Sequence, residues 1–472
     1  MKKMTTTTIT VMIMKTTIAM MIAKKMNSKV LSLIAATALA HSAFAATFET
    51  DRTWYLAGEP MLVSVTDDTP QPHNSAPTNQ IAYAELCDTH DLAAGVIISL
   101  HAGRGTGTIE LPADLHSGYY QLSVYTRSDA TVKQRLVAVI NPLHRNEDDD
   151  IEWVNITHPD SLSYPATDNA PGQGSPTLSL SGLRLPPSAT PVDERETEGH
   201  VVKARVKNTY DGRTFSSSQI RPSLSIVGKQ IHYFEGKMVN DTLALFYTYD
   251  VHGRRPIVLS AMSSTGESLP IEVVSPYALL LPKRLPHLVF HYKRSEVEAR
   301  SASMQQHQSV IATDRRELQL GDHAAMAEAG DEYQSAGELS DYDETAFGTK
   351  PDLSYNLDEY RQFLTIREVL LEYVNFVSKR KINGVPRLTV HLDNTPSNLA
   401  SLVLIDGMPV IDIERLLNYD ARRIHYINIY GNLYALGNSV YNGILSFVTR
   451  SGRLTNYPTE PNVQYLVYDF PE

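Results

Sequence analysis

Between residues 47 and 142 apolar and polar residues alternate in short runs: Met61, Val63 and Val65 share one face, Tyr120, Leu122 and Val124 another, and 96–100 and 136–140 are short apolar stretches. A period of two marks half-buried strands. Gly58, Gly103, Gly105, Gly107 and Gly118 break the runs, and many short strands between turn residues predict an antiparallel β-sandwich over 46–145. Gly103-Arg104-Gly105-Thr106-Gly107 superficially suggests a phosphate loop, but no helical period follows, so the context predicts a hairpin turn.

The pattern stops at 146–199, where Glu147-Asp148-Asp149-Asp150 is followed by Pro159, Pro165, Pro171, Pro176, Pro186, Pro187 and Pro191 among serines and threonines. Such composition buries too little apolar surface to offset chain entropy and predicts a Pro/Ser-rich linker. Strand patterns return over 200–312, including 231–234, 242–249, 257–261 and 271–274, and predict a second β module. Residues 313–350 are again polar and acidic and predict a second linker.

From 351 to 472 the pattern is mixed. Thr365-Ile366-Arg367-Glu368 has capping-box spacing, and Val369, Leu370, Tyr373, Val374 and Val377 follow at helical intervals, predicting a helix to about Lys379. Leu402 to Ile405 reads as a buried strand, Asp406-Gly407 as a tight turn, and Pro409 limits the returning strand. Asp412 is placed to cap a short helix through Leu417, Ile427 and Ile429 alternate in a strand closed by Gly431, and 444–449 forms another strand. The fold class is therefore multidomain and mainly β: antiparallel β-sandwich modules followed by a small α+β domain, whose elements suffice for one core and predict that 352–472 folds alone.

Composition narrows the function. The 472 residues are 42% hydrophobic and 20% charged with a net charge of −11, and no basic block offers a footprint for nucleic acid. Lys24, Lys25 and Lys29 precede an apolar run to Ala40 that ends in Ala43-Phe44-Ala45, the three parts of a secretory leader, so 1–45 is expected to be a signal region. No later run is long enough to span a bilayer as a helix. The expected location is exported, periplasmic or peripheral to the outer membrane. Cys87 is the single cysteine, which rules out an internal disulfide or thiolate metal site, and the segment after the leader offers no lipid-anchor cysteine.

Three blocks carry a resemblance: Leu402-Val403-Leu404-Ile405-Asp406-Gly407-Met408-Pro409-Val410, then residues 424–430, then Tyr441-Asn442-Gly443 through Arg450. In this order they resemble the plug domain of TonB-dependent outer-membrane receptors. In that family the plug fills a barrel and couples ligand binding to an energy transducer. The chain lacks the long series of alternating strands that a barrel requires, so transport does not carry over. In the front module, residues 50–59, Gly107 through Pro112 and Ser117-Gly118-Tyr119-Tyr120 resemble the second macroglobulin-type sandwich of the α2-macroglobulin superfamily. Protease-trapping members use a Cys-Gly-Glu-Gln thioester; here Asp88 follows Cys87, and covalent trapping does not carry over.

Scans for His-Glu-x-x-His, Gly-x-Ser-x-Gly and a Walker-type phosphate loop find none, and His287, His291 and His307 lie at irregular spacing without a clear carboxylate partner. No catalytic, metal or cofactor residue is assigned, and no cofactor is expected. Asp406, Gly407, Tyr430, Tyr434 and Tyr441 are the candidate partner-binding residues. For Asp406-Gly407 the alternative is a plain turn; for the tyrosines it is strand-face packing rather than stacking on a sugar or a partner. The expected function is non-catalytic binding or scaffolding of an envelope protein, with an outer-membrane barrel or an energy transducer as partner; the alternative is an accessory role in TonB-dependent nutrient uptake.

Overall fold

Two sheets build the front module, and their strands follow the alternation closely. A five-stranded sheet runs Trp54–Leu56, Lys133–Ile140, Gly118–Tyr125, Ile81–Cys87, Leu92–Ser99, with only the first pair parallel. Thr47–Thr50, Pro60–Thr66 and Arg104–Glu110 form the facing sheet. Met61, Val63, Val65, Leu122 and Val124 meet in the core between them. Of the glycine-rich stretch only Gly103 is in the hairpin turn, with His101 bridged to Arg104 across Ala102 and Gly103 at φ 51° and 77°, while Arg104 to Gly107 already belong to the strand Arg104–Glu110. Two successive positive φ values are what a two-residue turn between twisted strands demands.

The computed structural model describes residues 47–66, 80–127, 132–142, 149–155, 165–166, 196 and 199–472, apart from 294, 302, 305–341, 383, 393–398, 438, 453, 455–456 and 459. The expected signal region and most of both expected linkers lie outside the described residues. Phe48–Val65 with Pro77–Glu472 forms one compact unit, within which everything below lies. A second comprises Met1–Thr47 with Thr66–Ala76, of which only Thr47 and Thr66 are described. Among the described residues no helix is long and apolar enough to cross a membrane.

The second module is also a pair of sheets: Lys237–Met238, Leu243–Thr248, His200–Val206, Ile271–Val274 in one, and His232–Glu235, Ile220–Ile226, Arg254–Ser263, Gln464–Asp469 in the other. The last strand comes from the far end of the sequence, pairing Leu466 with Ile257 and Tyr468 with Arg255. Beyond it the Glu472 amide donates to Ile97 O (3.0 Å) and its carbonyl accepts from Ser99 N (3.1 Å), so the C-terminal residues tie the second module to the first.

The C-terminal α+β part is a five-stranded sheet in the order Leu353–Asn356, Ile424–Leu436, Ser439–Thr449, Leu402–Ile405, Met408–Pro409. The Thr365/Glu368 capping box and the Asp412 cap start helices Ile366–Glu372 and Ile413–Leu417. Two expectations are corrected. The first helix ends at Glu372 rather than near Lys379; Val377–Ile382 is instead a strand paired with Val385–Val390, a fate that suits a β-branched start followed by a Gly384 turn. The strand over Ile427 and Ile429 does not close at Gly431 but continues to Leu436, absorbing an irregularity between Tyr430 and Leu433.

Three observations bear on the expected division into separate modules. Ile151–Asn155, placed in the first linker, is a strand parallel to Leu288–Tyr292, whose Phe290 packs edge-on against Trp54 of the front module at 5.0 Å. Ile81, Tyr83, Ile97 and Tyr125 of the front module join the second module's core. Val227 and Val258 of the second join the C-terminal core. A fragment of 352–472 would lose Val227 and Val258 and leave its last strand unpaired, so the expectation that it folds alone is withdrawn.

The junction of the first two modules also holds a polar cluster. Buried Glu196 accepts from Tyr83 Oη (2.6 Å), Arg127 Nη1 (2.9 Å) and Val201 N (2.9 Å), with His200 Nδ1 at 3.0 Å. A carboxylate can only accept, so Nδ1 carries the proton and Nε2 accepts from Tyr468 Oη at 2.7 Å. Burial holds His200 below its ordinary value of 6.5, opposed by Glu196 and reinforced by Arg127 and Lys203. Neutral His200 therefore adds stability that is full above about 6.5 and is lost as pH falls towards the lower folded value. Denaturant melts between pH 7 and 5 should show a shallower acid loss in His200→Gln than in the wild type; equal slopes would remove His200 from the acid response.

Candidate functional site

Where the second module meets the C-terminal sheet there is a cleft of about 270 Å³, room for about nine waters. Its floor is the outer face of the sheet Ile220–Ile226, His232–Glu235 and Arg254–Ser263. Pairing sets Ser223 opposite both Glu235 and Ser260, so these three form one row across three strands, and the Ser223 and Ser260 hydroxyls are 2.7 Å apart. The period of two puts Arg221 and Tyr233 on the same face, while Leu224 and Leu259 point into the sandwich core.

The opposite wall comes from the C-terminal part. Arg387 enters from the Val385–Val390 strand and Tyr441 from the Ser439–Thr449 strand. The Tyr441 and Tyr233 hydroxyls lie 3.3 Å apart with their rings near perpendicular. Close approach at the rim depends on Gly437, where a Cβ would come within 2.8 Å of the Glu235 Cβ. Next to it the Ser439 hydroxyl donates to Glu235 Oε1 at 2.6 Å.

Charge in the cleft is unevenly matched. Among the described residues neither Arg221 nor Arg387 forms a salt bridge within 4 Å of a carboxylate. Burial holds the Arg387 guanidinium below its ordinary value, an electrostatic interaction with Tyr441 opposes this, and the neighbouring Arg221 charge lowers it further. Burial pushes the Glu235 carboxyl up, against the pull of Ser439, Arg221 and the nearby Tyr441 hydroxyl. Its Oε2 is buried and makes no hydrogen bond among the described residues. Tyr233 and Tyr441 are raised, first by burial, and stay protonated near neutral pH.

Of the five residues expected on a binding surface, Tyr441 alone lines this cleft. Asp406 and Gly407 form the predicted turn, at φ 45° and 88°, but a buried one. Asp406 accepts from Thr449 N (2.7 Å), Thr449 Oγ1 (2.5 Å) and Leu454 N (2.8 Å), so its carboxylate fastens a loop and presents nothing outward. Tyr430 is fully buried, donates to Glu344 O at 2.9 Å and packs edge-on against Phe347. Tyr434 stands beyond Phe347, with a buried hydroxyl lacking a hydrogen-bond partner among the described residues. These placements overturn a partner surface through Asp406, Gly407 and Tyr430, because the positions that looked like an exposed turn and an aromatic stripe are packed between elements. His287, read as lacking a carboxylate, lies against Asp150.

Arg221, Tyr233, Glu235 and Arg387 were missed. The available signal was the series Ser223, Ser225 and Ser260 on alternate strand positions, small polar residues that permit another layer to cover the sheet.

No family model matches the chain, and no curated protein matches it. Solved structures to which it is similar include trypsin-activated alpha-2-macroglobulin from Escherichia coli, at 10% identity and a TM-score of 0.18, covering 50% of this chain and 16% of that one. They also include the Escherichia coli adhesin FdeC, at 14% identity and a TM-score of 0.17, covering 53% and 66%. Human protocadherin-24 EC1-2 is matched at 12% identity and a TM-score of 0.14, covering 53% and 98%. At these TM-scores the likenesses carry no argument about function, and the protein's architecture rests on its own sheets: a multidomain, mainly β chain with a C-terminal α+β part.

Proposed function

We propose that this is a non-catalytic binding protein of the cell envelope, with the cleft between its second module and its C-terminal part as the binding site. The observation that carries the reading is the cleft's set of ionisable groups. Arg221, Arg387, Tyr233, Tyr441 and the burial-raised Glu235 converge on one polar cleft, donors and an acceptor aimed at one space, which suits recognition by charge and hydrogen bonding. The leader-like segment before Ala46 supports export. A second reading, an accessory role in TonB-dependent uptake, draws support from the three plug-like blocks: their strands, Leu402–Ile405, Ile424–Leu436 and Ser439–Thr449, lie in one sheet, the third between the other two. Envelope partners such as a barrel protein belong to that reading.

Native mass spectrometry of the full chain purified from envelopes tests the first reading. One small molecule should be retained, released intact on unfolding, and lost in Arg387→Met. Bare protein in both spectra, or release of a chemically altered molecule, would overturn it.

A further inference from the structure

We propose that the cleft takes a sugar acid, a small molecule that joins one carboxylate to a ring bearing several hydroxyls. The proposal rests on the binding reading above and adds the class of ligand. Arg221 and Arg387 line one cleft, neither forms an ion pair within 4 Å among the described residues although Glu235 lies near enough to feel the Arg221 charge, and the Arg221 charge disfavours that of Arg387. An arriving carboxylate relieves that repulsion and matches the planar donor fork of a guanidinium.

An anion alone leaves Glu235 unexplained. Its buried Oε2 makes no hydrogen bond among the described residues, whereas Oε1 already accepts from the Ser439 hydroxyl. A buried acceptor without a partner costs free energy, and a neutral hydroxyl is the donor that can satisfy it beside a bound anion. Ser223 and Ser260 lie in the same cross-strand row, offering further hydroxyl contacts. Tyr233, paired with Ser225 in the neighbouring cross-strand row, and Tyr441 beside it supply aromatic surface in the same cleft, which suits the C–H face of a sugar ring. Donors for a carboxylate and an acceptor for hydroxyls thus converge in one space of about 270 Å³. A phosphate ion would satisfy only the first and a neutral sugar only the second.

Isothermal titration of the full chain with D-glucuronate, D-glucose and inorganic sulfate separates these cases. Glucuronate should bind at least about tenfold more tightly than either of the others. Arg387→Met should lower glucuronate affinity by about tenfold or more and leave glucose unchanged, with Arg221→Met, at an exposed position, showing the same direction without risk to the core. Thermal melts of each variant establish that it is folded. Equal binding of glucose and glucuronate would overturn the anionic part, and sulfate binding as tightly as glucuronate would overturn the sugar part. No binding of any probe, with an intact molecule still retained in the mass spectrum, would overturn the sugar-acid class and spare the binding reading; no binding and nothing retained would overturn both.

Discussion

Replacing Arg127 with alanine is expected to cost about 3 to 5 kcal/mol of folding stability. Its guanidinium donates to Glu196 at 2.9 Å and to the carbonyl oxygens of Val201 (2.9 Å) and Pro276 (3.3 Å), and it lies 4.7 Å from the centre of the Tyr83 ring. The Glu196 side chain is 1% exposed. Burial alone would raise that carboxyl; Arg127 leads the groups that hold it below its ordinary value instead. Without Arg127 a buried carboxylate keeps three neutral donors, Tyr83 Oη, Val201 N and His200 Nδ1, and loses its counter-charge, and it cannot reach water without opening the junction between the first two modules. Denaturant unfolding of wild type and Arg127→Ala measures the loss. Restoring the balance with Arg127→Ala/Glu196→Gln should recover part of it, whereas a loss below about 1 kcal/mol would mean that the pair is solvated in solution.

Gly407→Val should cost about 3 kcal/mol or more, from two sources. A β-branched residue at φ +88° is strained. Its Cβ would also come within 2.8 Å of Ile231 Cγ2 and 3.0 Å of the Ile226 carbonyl oxygen, both in the second module. The chain carries its own control. Asp211-Gly212 is a second Asp-Gly turn with φ 47° and 72°, and a Cβ on Gly212 meets nothing within 4 Å. Gly212→Val therefore reports the strain alone. A larger loss at Gly407 measures the packing of the C-terminal turn on the second module, and equal losses would mean that the two parts do not press together there.

Much of the fold was legible because strand alternation and caps are local. The Thr365/Glu368 box, the Asp412 cap and the Asp406-Gly407 turn stand where spacing predicts them. Which layer covers which face was not legible. Ile220–Ile226 alternates apolar and polar residues like a strand facing water, yet Ser223 and Ser225 lie under the C-terminal part, a long-range pairing that no local pattern encodes. The same cause hid the site. Arg221, Glu235, Arg387 and Tyr441 are separated by up to 220 residues and become neighbours only through that covering. The helix after Thr365 was overextended because Val374 and Val377 keep helical spacing while serving in a turn and a strand.

Amide hydrogen exchange of the full chain, with and without the small-molecule fraction of its envelope, tests binding at this cleft most directly. The account predicts slowed exchange in 233–235, 385–388 and 401–403, with 81–87 in the front module unchanged. Protection confined to the front module, or none anywhere, would contradict it.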